Sequence, residues 1–122
     1  VSGILSGANR DFDEGADVDA ADLSILRSPL PVEQVREGAP TAGAAALGEF
    51  AGHEVGVWEM TSGTATDVEA DELFIVLSGA ATVEFLDEER VVHLVPGSVM
   101  QLKAGERTVW TVTETLRKVY IS

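Results

Sequence analysis

Few residues of this chain can carry acid–base, nucleophilic or metal chemistry. None of the 122 residues is a cysteine, which removes thiolate nucleophiles, disulfides and cysteine zinc sites. The two histidines are His53, after the turn formers Ala51-Gly52, and His93, in a strand pattern whose other face carries Val92 and Leu94. Neither pattern turns an imidazole inward. Carboxylate and ammonium groups remain. By the two-residue period of a strand, Glu72 shares a face with Phe74, Lys118 with Tyr120, and Trp58 with Met60. If these faces line one interior, Glu72 and Lys118 are the candidate catalytic pair, a general base and an electrostatic clamp. Around them Trp58, Phe74, Trp110 and Tyr120 would suit a small, partly apolar ligand. Burial raises the pKa of such a glutamate and a nearby ammonium lowers it. The same residues also fit an inert interior, with the aromatic rings as filling and the charges as a structural pair.

The elements that must position these residues are strands. From Ala44 onward, runs rich in Val, Thr and aromatic residues alternate with short turn signals. The spacing predicts strands at 44–50, 53–60, 64–68, 72–77, 81–86, 90–95, 99–102, 108–113 and 117–121. Turns are expected at Ala51-Gly52, Ser62-Gly63, Ser78-Gly79, Asp87-Glu88-Glu89, Pro96-Gly97 and Ala104-Gly105. Many short strands with hairpin-length loops predict an all-β antiparallel sandwich or barrel. Upstream, Leu23–Leu26 reads as one strand or one helical turn, and Val32–Arg36 as a single turn before Gly38 and Pro40.

Two segments follow from composition. Residues 1–28 form an acidic arm, expected to be extended or partly disordered, and residues 29–122 form a single domain. Within the arm, the acidic run from Asp11 to Asp22 resembles a calcium loop. Its fifth and sixth positions are Gly15 and Ala16, where such a loop wants an oxygen ligand and a glycine, so a charged arm is the better reading. The formal net charge of −13 and the absence of a basic run argue against nucleic acid. No apolar window is long enough to span a bilayer as a helix, and the start carries no leader pattern. The expectation is a cytoplasmic protein without membrane or nucleic-acid partners. Edge strands that need covering predict a homodimer.

Several stretches together resemble the cupin superfamily, and within it the (S)-ureidoglycine aminohydrolase-like cupins. They are Val35-Arg36-Glu37-Gly38-Ala39-Pro40, Gly56-Val57-Trp58-Glu59-Met60-Thr61-Ser62-Gly63, and Asp71-Glu72 with Leu77-Ser78-Gly79. Pro96-Gly97, Gly105, Trp110 and the closing Arg117-Lys118-Val119-Tyr120 complete the set, in order and at sensible separations. The resemblance implies a jelly-roll barrel, the double-stranded β-helix, with a pocket inside one end. It also implies a divalent metal held by Glu72 and three histidines. The positions expected to match those histidines are Thr66, Val68 and Thr108, which are poor ligands or none. Ser98 replaces an aspartate and Lys103 a proline of the same pattern. No cofactor and no metal site are therefore expected, and Thr66 and Thr108 are assigned to ligand binding instead. The leading expectation is a small-molecule-binding cupin. The alternatives are a hydrolase or isomerase of the ureidoglycine aminohydrolase type with a non-standard metal site, and a non-catalytic dimeric interaction module.

Overall fold

The computed structural model describes Ser6–Asn9 and residues 17–122. The first half of the acidic run, residues 11–16, and with it the start of the calcium-loop pattern, lies outside the described residues. Among the described residues ten strands follow one another: β1 (Ser6–Asn9), β2 (Ser28–Pro29), β3 (Val35–Glu37), β4 (Thr41–Phe50), β5 (His53–Met60), β6 (Gly63–Val68), β7 (Glu72–Phe85), β8 (Arg90–Leu94), β9 (Val99–Leu102) and β10 (Arg107–Ile121). Among the described residues there is no α-helix; a single turn of 3-10 helix covers Val32–Gln34. The segment after the turn at residues 20–22 runs without regular structure until β2, so the expected strand or helical turn at Leu23–Leu26 does not form.

Two long strands shape the barrel. The C-terminal half of β10 pairs with β5 and its N-terminal half with β6, while β7 runs antiparallel along its other edge. β7 divides its own partners in the same way, pairing with β9 through its first half and with β8 through its second. β4 lies outside β5, and β1 pairs with β4 in parallel. A sheet whose central strands change partners halfway along must curl, and here it closes around one apolar interior. The all-β antiparallel barrel expected from the strand spacing is the fold observed.

The expected turn at Ser78-Gly79 is absent. The strands predicted at 72–77 and 81–86 are one strand, β7, and those predicted at 108–113 and 117–121 are one strand, β10. The glycine signals a bend inside a strand. Gly79 has φ +92°, and the β7–β10 register shifts between Val112 and Lys118 beside it. A side chain at Gly79 would overlap the Thr115 carbonyl oxygen, so only a residue without a Cβ lets the two strands approach across the bulge.

The outer face of β4, β5 and β10 carries a strap. Directly opposed residues in an antiparallel ladder point to the same side. Glu59 stands opposite both Gly43 and Arg117, on the face away from the interior. The Arg117 guanidinium donates to Glu59 at 3.1 and 3.0 Å and to the carbonyls of Ala20 and Ala21 at 3.0 and 3.1 Å. Arg27 reaches the other Glu59 oxygen at 2.9 Å, and the backbone at Leu26 lies flat on Gly43, where a Cβ would not fit. Residues 20–27 are thereby held across the sheet. Glu59 and Arg117 face outward, as alternation predicts.

Candidate functional site: a caged lysine and two buried carboxylates

Lys118 stands opposite Trp58 on β5 and Val76 on β7, in the middle of two ladders. Alternation sends all three side chains inward, and Lys118 is fully buried at 0% exposure. Its Nζ donates to Glu72 Oε2 at 2.6 Å. The ammonium also sits over three aromatic faces, 4.7 Å from the ring centroid of Trp58, 4.3 Å from Phe74 and 5.0 Å from Trp110. The rings support one another, with Trp110 at 6.0 Å from Trp58 and 5.8 Å from Phe74, both tilted. A carboxylate and three ring quadrupoles thus replace the water that a lysine normally keeps. Trp58 contributes its face to this cage; its buried Nε1 has no acceptor among the described residues.

Glu72 connects the cage to the surface. One carboxylate oxygen holds Lys118, and the residue also lines an open groove of about 280 Å³ with His53, Asp71, Leu73, Gln101, Ile121 and Ser122. Tyr120 lies in the same interior next to this end, opposite Gly56, over which its ring extends. Its hydroxyl donates to Glu54 Oε2 at 2.7 Å, so it points away from the cage. Five of the expected residues therefore meet: Glu72, Lys118, Trp58, Phe74 and Trp110. Tyr120 flanks them.

Thr66 does not join them. Trp110 stands opposite Ala65, and Thr108 opposite Asp67, so Ala65 and Asp67 share the inward face of β6. Thr66 pairs with Val109 on the other face and donates to the Gln34 carbonyl at 3.4 Å, while Val68 is 61% exposed. The expected phase of β6 was shifted by one residue, which exchanges the two faces of a strand. Ala65, the one small apolar residue of the strand, was the available sign of the true phase. His93, opposite Thr82, is exposed, and His53 is exposed at the start of β5.

A second buried carboxylate, Glu69, was not legible in the sequence. It accepts from Thr108 Oγ1 at 2.7 Å and Trp110 Nε1 at 2.9 Å. Its backbone is tied across the barrel mouth by Glu69 N to Glu106 O at 2.8 Å and Gly105 N to Glu69 O at 2.9 Å. Burial is the largest influence on this carboxyl and pushes it up. Positive charge nearby, then hydrogen bonds from Thr108 and Trp110 and last the charge of Lys118, outweigh it and hold the group below the ordinary 4.5. A depressed folded pKa stabilises the fold above the ordinary carboxylate range, and that contribution is lost as pH falls through the folded value. Glu69→Gln should therefore be less stable than wild type at neutral pH, with the gap narrowing as pH falls below the ordinary carboxylate value of 4.5. Urea unfolding across that range checks it; a gap that stays constant would remove Glu69 from the acid response.

The metal implied by the resemblance does not fit these residues. The inward positions of β6 and of the start of β10 are Ala65, Asp67 and Thr108, the inner Glu72 oxygen is committed to an ammonium, His93 is on an exposed strand face, and His53 lines the outer groove with Glu72 as an exposed residue. Among the described residues no three of His, Cys, Asp and Glu converge as a metal would require.

Over residues 47–120 the chain matches the model of Cupin_3, the EutQ-like cupin domain. No curated protein matches it. Several solved structures share the fold. A DUF861-family protein of unknown function from Pseudomonas syringae pv. tomato is 19% identical at a TM-score of 0.71, covering 82% of this chain; the match spans 44%, less than half, of that protein. The EutQ protein of Clostridium difficile is 16% identical at a TM-score of 0.65, covering 86% of this chain and 83% of its own. A putative ethanolamine utilization protein Q from Salmonella typhimurium is 15% identical at 0.56, covering 80% and 92%. With the closed all-β barrel and a model match over more than half of its length, the chain belongs to the EutQ-like cupin family.

Proposed function

We propose that this chain is a small-molecule-binding cupin that works without a metal, with its ligand seated in the groove at Glu72. The observation that carries this reading is the double engagement of Glu72, with one oxygen on the caged Lys118 and the residue itself lining an open groove. A carboxylate pinned from behind by an ammonium is a preorganised polar anchor, and Leu73 and Ile121 give the groove apolar walls. The finer likeness to ureidoglycine aminohydrolases is not part of the proposal, because the metal donors such chemistry uses are replaced. We place the protein in the cytoplasm as a homodimer in the same reading.

Thermal shift against a panel of small carboxylic acids, amides and amines tests the binding. A ligand present at 100 times its Kd should stabilise the protein by about 2.7 kcal/mol. Glu72→Gln should unfold cooperatively and lose that shift. A panel without a single shift, or a shift that survives Glu72→Gln, would refute a ligand at this groove. Elemental analysis of protein purified without chelators is the companion measurement, and a stoichiometric divalent metal would overturn the metal-free reading.

A further inference from the structure

We propose that Lys118 is the resident cation of this barrel, a covalently tethered ammonium that takes the place the resemblance gives to a metal ion beside Glu72. Three observations converge on it. The ammonium is within 2.6 Å of the Glu72 oxygen that a metal would need. Its remaining surroundings are the faces of Trp58, Phe74 and Trp110 at 4.3 to 5.0 Å. Those faces attract an organic ammonium through the ring quadrupole but offer no lone pair to a hard or borderline divalent ion. The backbone of Lys118 is fixed by ladders to Trp58 on one side and Val76 on the other, so the charge is delivered to one spot without a binding equilibrium. The cage is therefore built for a cation that the chain itself supplies.

The inference deepens the metal-free reading, and its test measures the charge at position 118 without any ligand, so the two fail separately. The chain has no cysteine, so Lys118→Cys offers a single thiol. In urea, 2-bromoethylamine converts that thiol to a side chain with the length and ammonium of lysine, and 1-bromopropane gives a neutral chain of the same length. Both products are then refolded. The aminoethylated protein should melt within about 3 °C of wild type, and the propylated one at least about 10 °C lower. With Glu72→Gln added, the gap between the two should shrink by half or more. Equal melting temperatures, or a more stable propylated protein, would overturn the proposal. So would failure of the aminoethylated chain to refold where cysteine-free wild type, carried through the same reagents, does.

Discussion

Lys118→Met should destabilise the fold by about 3–5 kcal/mol, the usual cost of breaking a buried ion pair from one side. Methionine fills much the same volume, so the loss is one of charge rather than packing. Glu72 would keep its carboxylate against three aromatic rings with no cation to hold it. Its side chain is only 6% exposed, so the unpaired charge must turn to the groove to reach water. The cation–π contacts with Trp58, Phe74 and Trp110 disappear as well. The double variant Lys118→Met with Glu72→Gln removes both charges and should recover about 1–2 kcal/mol relative to Lys118→Met alone. Urea denaturation of the four proteins closes the cycle. A loss below about 0.5 kcal/mol in Lys118→Met, or strictly additive losses, would mean that the pair contributes nothing to stability.

Gly79→Ala should cost roughly 3 kcal/mol, the upper range for one residue forced into a poorly populated backbone region. Two penalties act together. Gly79 sits at φ +92°, which L side chains rarely adopt, and the added methyl would overlap the Thr115 carbonyl oxygen of the facing strand. The obstacle is backbone, so β7 and β10 must separate at their shared bulge rather than rotate a side chain. That bulge lies between Trp110, a wall of the cage, and Lys118, its occupant, both supplied by β10. The variant should therefore also disturb tryptophan fluorescence from Trp58 and Trp110. By contrast, Gly97→Ala, at φ +92° but with open space around it, should pay only the backbone term and lose less. Equal losses at the two glycines would show that the close strand approach does not matter.

The membership of the site was legible to the extent that a two-residue period is. Glu72 with Phe74, and Lys118 with Tyr120, fall on one face by counting, and their neighbours Leu73 and Val119 are more exposed than they are. Counting alone leaves two phases open for each strand, and β6 took the one not expected. The decision lay in the ladder, where Ala65 opposite Trp110 puts Thr66 outside. Glu69 carried no signal. It follows the exposed Val68 in a loop, and it is buried because that loop is bonded to Gly105 and Glu106 from a distant turn.

From its residues alone the chain declared strands, a barrel, a cysteine-free chemistry and a lone Glu72 without histidine companions, because alternation, turn chemistry and composition act over a few neighbouring residues. Only the tertiary structure decided that two pairs of predicted strands are each one continuous bent strand, that Glu69 is buried, and that Lys118 ends inside an aromatic cage on Glu72. Those outcomes depend on contacts 39 to 46 residues apart, such as Glu69 with Thr108 and Glu72 with Lys118. Which strand lies opposite which, and in what register, is a choice the whole barrel makes at once when it closes.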